Sequence, residues 1–478
     1  MAAVARQSRR TFVPSRVADV VFAAAVAVVL LATITVYKPK YAVGIVLGAG
    51  ILLLAFRKLA LAIGFFVILT FPEHLPGSLG VGATVAKPLG VTLALAWVAS
   101  IVARRGAIRL LPRDHPALTW AVSAFIALAA ISAIWAADVS QLIYDFSRLV
   151  QVVLLMLIVY TAASTASGFR TIIWAFLIGS AATAGYSIAT GGYAATGRLS
   201  GIFDPNYFAA RLIPAILIAS FIVLTTRSGS TRAAAAAVLA VDVVAFALTQ
   251  SRGGIIGLVV ALLAAVALAG NVRPRIVVAV FVAFALAIGY YFEAAPTHLR
   301  GSFSTSLSSA SSGRSDEWQI ALRMFANHPL SGVGLGNYVV VEPSYATQTF
   351  NVTHVRYVVT DRLVAHSTYL EIAAELGLGG VALLIAILSM AAIRAGRGLA
   401  LRARSPNDLH FYARGLLAGA IGMFVAYIFL SAEYEKDLWL VLGLLAAVGT
   451  IGRDLASSSL AGTGVGHGAR HRISDAWN

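Results

Sequence analysis

The sequence contains no cysteine, which excludes disulfides and thiolate metal sites. It is also poor in charge. Asp, Glu, Lys and Arg make up only 12% of its 478 residues, about half the roughly 25% of a soluble domain. No Gly-rich phosphate loop of the G-x-x-x-x-G-K-[ST] type is present, which argues against ATP-driven chemistry. No Asp-x-Asp and no His/Asp/Glu cluster with divalent-metal spacing falls in the connecting loops expected outside the membrane. The chain shows no repeat with a period of 20–50 residues.

What fills the sequence instead is apolar. Hydrophobic residues are 59% of the chain and the mean hydropathy is +0.85. Runs long enough to cross about 30 Å of hydrocarbon recur along its length. The expected fold is all-α, a polytopic membrane protein with about 14 spans (12–14). They fall near 18–36, 42–56, 59–71, 88–103, 116–135, 149–163, 169–189, 208–225, 233–249, 254–270, 276–292, 368–393, 411–430 and 437–451. The third is short and followed by Pro72, Pro76 and a Gly-rich stretch, as a re-entrant segment would be. Arg6, Arg9, Arg10 and Arg16 precede the first run without a small-residue cleavage site, which reads as a retained first span.

The formal charge of +16 suggests nucleic acid only in a soluble protein. Here Lys and Arg concentrate in alternate short loops, including Arg104, Arg105, Arg109 and Arg113, then Arg227 and Arg232, then Arg394, Arg397, Arg402 and Arg404. That is the positive-inside pattern. It predicts two cytoplasmic termini, with the long polar interval near 292–371 on the external face. The implied organisation is an N-terminal bundle over 1–291, an external lid loop over 292–367, further spans over 368–452 and a disordered tail over 453–478.

Basic residues left on the external face are not explained by topology. They are Lys87, Arg198, Arg252, Arg314, His366 and Lys436. Arg252, in Thr249-Gln-Ser-Arg-Gly-Gly254, sits at a tight turn between two spans. There it either snorkels to headgroups or faces an anionic ligand. Gly253 and Gly254 favour the second reading by leaving helix N-terminal amides open. Asp204-Pro205-Asn206 reads as a turn and helix cap. Residues 315–327 read as an amphipathic helix with Trp318, Leu322 and Phe325 on one face and Asp316 and Glu317 in the first turn. That helix lies on the bilayer or forms a lid whose Arg314 points into a cavity. His366 is an interfacial residue or a base titrating near neutrality. Glu371 and Glu375 follow at i, i+4 spacing on a span, where acids face a cavity or a base. Several cations, one histidine and no metal spacing suit a phosphate or diphosphate leaving group.

Taken together, Thr249–Gly254, Gly313-Arg314 with Trp318, His328-Pro-Leu-Ser-Gly-Val-Gly-Leu-Gly-Asn337 and His366-Ser-Thr-Tyr-Leu-Glu-Ile-Ala-Ala-Glu-Leu-Gly377 resemble the O-antigen ligase and O-antigen polymerase superfamily. Residues 197–206 resemble it too, and the resemblance covers about 190–380. It implies a GT-C-like, metal-independent, inverting glycosyltransferase of the bacterial inner membrane, without cofactor. The donor would be a glycan on undecaprenyl diphosphate. The acceptor would be a glycan, lipid or protein hydroxyl on the external face, with membrane lipids as the other partner. By motif position, Arg252 and Arg314 would hold the diphosphate, His366 would act as base or orienter, and Arg198, Lys87 and Asn206 would be secondary contacts. A polymerase of the same superfamily is the alternative reading. From another class, the alternative is a transporter or flippase, though no paired broken helices are evident.

Overall fold

A computed structural model describes residues 58–70, 82–103, 108–191, 198–200, 204–270, 314–347, 364–401 and 408–462, together with 50, 54, 274 and 275. The described residues form helices and no strand element. We number the main helices α1 Leu59–Thr70, α2 Gly82–Ala103, α3 Pro116–Ile131, α4 Val139–Ala163, α5 Ala166–Thr190, α6 Pro205–Thr225, α7 Gly229–Thr249, α8 Arg252–Leu268, α9 Arg314–Asn327, α10 Tyr338–Ala346, α11 Thr368–Leu401, α12 Asp408–Ala426 and α13 Lys436–Gly462.

Among the described residues, seven helices are long and apolar enough to cross a membrane: Pro116–Ile134, Val139–Ala163, Ala166–Thr190, Pro205–Thr225, Gly229–Thr249, Thr368–Ala400 and Leu409–Phe429. Leu59–Leu69, Gly90–Val102 and Arg252–Leu268 are shorter apolar helices. The chain is therefore an all-helical, polytopic membrane protein. The spans expected near 18–36, 42–56 and 276–292 fall outside the described residues, but for Gly50 and Leu54. The Ser-rich stretch 301–313 and the C-terminal His467 and His471 fall outside them as well. α13 continues to Gly462, so it takes in the start of the segment that the sequence assigned to the tail.

Small residues let the central helices approach closely. A Cβ on Gly419 of α12 would lie 2.5 Å from the Cα of Pro214 on α6, and one on Gly415 would lie 2.7 Å from the Cα of Ile218. Such seams supply packing where lipid removes the hydrophobic drive between helices. α13 packs against α4 and α11 in the same way, with Gly443 against the Met156 carbonyl. Polar groups fasten one end of this bundle. His115 Nε2 lies 2.9 Å from Thr450 Oγ1, Tyr160 donates to Asp114 at 2.7 Å, and Arg453 donates to the Asp114 carbonyl at 2.9 Å. Within the bundle, Arg211 of α6 pairs with Asp437 of α13, so a cation at membrane depth has its counter-ion.

The opposite end carries the segment 314–347. Its helix α9 buries Asp316, Glu317, Ile320, Ala321 and Met324. The apolar stripe expected from periodicity lies on a different face: Leu322 is exposed and Trp318 and Phe325 are only half-buried. α9 is held between α10 and α11, where Ile320, Ala321 and Met324 join Tyr338, Ala365 and Ala374 in a small separate core. The face toward protein thus runs one position behind the face that hydropathy alone selects.

Candidate active site

The geometry begins with the glycine loop after α9. Gly332, Gly334 and Gly336 all have positive φ, at +63°, +102° and +70°, a region that side chains with a Cβ disfavour. They let the loop dock on a break in α11 at Gly377, whose φ is +66° and ψ −163°. The break leaves α11 carbonyls without helical donors, and the loop supplies replacements. Val333 N donates to Ala374 O and Gly334 N to Glu375 O, both at 2.9 Å, while Leu378 N donates to Pro329 O at 2.8 Å. Every freed backbone group needs such a partner in a buried setting. Asn337 ties the loop to the start of α4. Its Oδ1 accepts from Asp138 N at 2.7 Å and its Nδ2 donates to Asp138 O at 3.2 Å. Leu335 N donates to Ser132 Oγ at 3.0 Å. The motif 328–337 is therefore a docking device that fixes α9 above α11.

α9 in turn sets its first residues beside His366. Nε2 of His366 lies 3.8 Å from Glu317 Oε2, within ion-pair range and beyond hydrogen-bond range. Burial pushes the Glu317 carboxyl up to about 8, with the Arg314 charge opposing and Glu342 and Asp316 reinforcing. His366 moves the other way. Burial lowers it from the usual 6.5, the Arg314 charge lowers it further and Asp204 opposes. Its backbone has φ +46°, uncommon for a residue with a Cβ. Flanking bonds hold that conformation: Ala365 N donates to Glu371 at 3.2 Å, and Thr368 N and Oγ1 both donate to Leu430 O.

The arginines arrive from two other segments. Arg198 is half-buried; its Nε donates to Thr249 O at 2.8 Å and its Nη2 to Asn206 Oδ1 at 3.1 Å. Burial lowers its pKa, Asp204 opposes, and the charges of Arg314 and Arg252 lower it further. Arg198, Arg252 and Arg314 thus share one electrostatic neighbourhood, and Arg314 shares it with His366. Arg252 is exposed at the first turn of α8. Two packing contacts place it. A Cβ on Gly253 would lie 2.8 Å from Phe429 Cβ, and one on Gly254 would lie 2.7 Å from Ala209 Cβ. Phe429 in turn lies under Trp318 of α9, with ring centroids 6.0 Å apart.

Some expectations change at this point. The Gly254 amide is engaged, since it donates to the N-cap Ser251 Oγ at 3.1 Å, so the two glycines serve close packing. Asp204 caps α6 by accepting from Asn206 N at 2.7 Å and Tyr207 N at 3.3 Å. Asn206 is buried, and its Oδ1 accepts from Arg198 and from Ser251 Oγ at 2.8 Å. It braces Arg198 and the turn that carries Arg252. Lys87 lies on α2, with its side chain outside the described residues. Glu317 carried no site role in the sequence, where it read as a helix-dipole residue; its burial behind a loop of separate sequence is a tertiary fact.

No curated protein matches the chain. The stretch 235–385 contains Arg252, Arg314, the glycine loop and His366, and leaves Arg198 and Asn206 just outside. That stretch of this multi-pass membrane protein, about a third of the chain, matches the family described as O-Antigen ligase, in line with the superfamily that its motifs resemble.

Proposed function

We propose that the protein is an inverting glycosyltransferase. It would move a glycan from undecaprenyl diphosphate to an acceptor hydroxyl at the external face of a bacterial inner membrane. What supports this reading is that the charges of Arg252 and Arg314 both act on Arg198, that Arg314 also acts on His366, and that Phe429 packs against both Gly253 beside Arg252 and Trp318 of α9.

His366 removes the proton of the acceptor hydroxyl. The freed oxygen attacks the anomeric carbon and forms the new glycosidic bond. The bond from that carbon to the diphosphate oxygen breaks, and its electron pair leaves with the lipid diphosphate. Arg252 and Arg314 neutralise the departing charge, in the role that a metal ion has in other transferases. Arg198, held by Thr249 and Asn206, adds a third positive charge, and Lys87 is a further phosphate contact. The lowered pKa keeps His366 neutral, hence basic, at pH 7. Glu317, whose Oε2 lies 3.8 Å from His366 Nε2, keeps its proton at pH 7 and so favours the neutral imidazole. Attack from the face opposite the leaving group inverts the anomeric centre.

The test is transfer in vitro, with a defined undecaprenyl-diphosphate glycan, the full chain in lipid nanodiscs and candidate acceptors. Transfer that persists in EDTA and is lost in His366→Ala supports the reading. Near-normal transfer by His366→Ala or Arg252→Ala overturns it.

A further inference from the structure

α9 packs on α10 and α11 through Ile320, Ala321 and Met324 and keeps an apolar face in the open on its other side. Leu322 is 51% exposed, and Ala326 is exposed one turn further on. The exposure continues through Asn327, His328 and Pro329 to Leu330, which is 78% exposed in the turn after α9. Leu322 belongs to the stripe that periodicity selects, and Phe325 stands half-buried at its edge. The transfer chemistry gives this face no role.

Two neighbouring helices fix the level at which this face stands. Exposed residues run along α3 as Trp120, Ala124, Ala127, Ile131 and Ile134, and along α11 as Leu378, Ala382, Ile385, Ser389 and Ile393. Both rows have helical spacing and are almost wholly apolar, as a side turned to lipid must be. Both stop at the same loop. The α3 row ends at Ile134, 83% exposed, and the next residue, Trp135, donates its indole N–H to the Ser331 carbonyl at 3.1 Å. The α11 row ends at Leu378, 55% exposed, whose amide donates to the Pro329 carbonyl at 2.8 Å. None of residues 368–377 is exposed. Leu330 stands between the two bonded carbonyls and so tops both rows. The helix lengths agree with that level. Pro116–Ile134 has 19 residues, about 28 Å at 1.5 Å per residue, against about 30 Å of hydrocarbon. Thr368–Ala400 has 33 residues, about 50 Å, more than one crossing needs, whereas the part from 378 to 400 covers about 34 Å.

The end of a span is where hydrocarbon gives way to headgroups, and the residue types suit that layer. Tryptophan is enriched there. Leu322 and Leu330 bring apolar surface and Asn327 and His328 bring polar surface beside it, the mixture found in a helix that lies in the interface. We propose that the C-terminal half of α9 and the turn through Leu330 are seated in the interfacial layer of the bilayer, with Leu322 and Leu330 against acyl chains. Lipid is the occupant because this surface continues directly into the lipid-facing rows of α3 and α11. The helix that carries Arg314 is then supported from two sides, by α11 and by the membrane. The proposal rests on burial and level alone and is independent of the transfer reading.

The experiment is site-directed spin labelling of the full chain in phosphatidylcholine nanodiscs. The sequence has no cysteine, so Leu322→Cys, Leu330→Cys and Ile385→Cys each carry one nitroxide. All three positions are exposed, so the labelled chains should keep the thermal midpoint of the wild type. Power saturation compares collisions with oxygen, which concentrates in lipid, and with a water-soluble nickel chelate. At 322 and 330 the oxygen-to-nickel ratio should be at least about fivefold above that of the free label in buffer, since apolar side chains at this level stand in lipid. At 385, about 10 Å further down α11, it should be higher still. A ratio at 322 or 330 equal to that of the free label places the segment in water and overturns the proposal. Exclusion of both reagents, or spin–spin broadening that vanishes on dilution with unlabelled chain, places a protein surface or a second copy on this face and overturns it as well. The two positions are read separately, so a label that perturbs one leaves the other to decide.

Discussion

On one side of His366 stand Arg198, Arg252 and Arg314; on the other, beyond Ala365, lie Glu371, Glu375 and Glu433. The cationic side is assembled from helix starts and turns, with Arg252 exposed and Arg198 and Arg314 half-buried. The carboxyl side is assembled from a helix interior and a tight turn, and its acids are almost fully buried. Charges near water are available to a mobile anionic lipid and cost little to maintain. Carboxyls shut away from water are costly unless a ligand or proton answers them. The contrast separates charges open to an anionic ligand from carboxyls that are answered within the protein.

The largest expected effect strikes the cationic side and the imidazole. His366→Ala should lower the transfer rate by about 10²–10⁴-fold, the usual contribution of a positioned base. Arg252→Ala and Arg314→Ala should each lower it by about 10²–10³-fold. Turnover measured at saturating donor and acceptor checks both. A mutant within threefold of wild type would leave the cationic side without its proposed purpose.

The seam between the two sides comes next. In Gly332→Ala, the new Cβ would overlap the Glu375 carbonyl in a backbone with φ +63°. The loop would have to leave α11, at a cost of about 2–4 kcal/mol. Thermal unfolding followed by tryptophan fluorescence should show a lower midpoint, and both donor and acceptor binding should suffer. Loss of only one would show that the two sides are independent.

A smaller effect concerns protons. Folding raises the Glu317 carboxyl to about 8 from its ordinary 4.5, so between those values the folded protein holds more protons than the unfolded chain. Its contribution to stability is present below pH 4.5 and fades as the pH rises through about 8. Glu317→Gln should flatten the fall of the melting temperature over that window. His366 is shifted down from 6.5, so the acid limb of the transfer rate should lie below pH 6.5. A limb above pH 7 would contradict a neutral imidazole as the base.

The smallest effect should come from the brace. Asn206→Ala removes the acceptor shared by Arg198 and Ser251 and should reduce transfer several-fold, chiefly through a higher KM for the donor. Arg198→Lys should do the same, because an ammonium does not reproduce the fork that spans Thr249 O and Asn206.

The cations were legible in the sequence because topology gave them no reason to stand where they do. Arg252 between two spans and Arg198 in its turn were visible as exceptions to a rule. The helix caps at Asp204 and the end of α9 near Pro329 were legible from local chemistry alone. The carboxyl pocket was only half visible. Glu371 and Glu375 were expected to face a cavity or a base, but Asp145 and Glu433 belong to distant segments, and nothing local announces their meeting. The face of α9 that packs on protein was not legible for the same reason. Periodicity ranks faces by hydropathy, whereas α9 buries Asp316 and Glu317, with Glu317 beside His366.

One consequence follows from the interruption of α11 at Gly377. Because Val333 and Gly334 replace donors that the helix itself would have supplied, the cover and the pillar beneath it are stitched through main chain, and neither can slide without orphaning amides and carbonyls on both. Displacing Arg314 would drag the Glu375 rung with it. A ligand that moved the cover would strain the pillar, and by thermodynamic reciprocity a change in the pillar that moved the cover would alter retention of that ligand by the same factor.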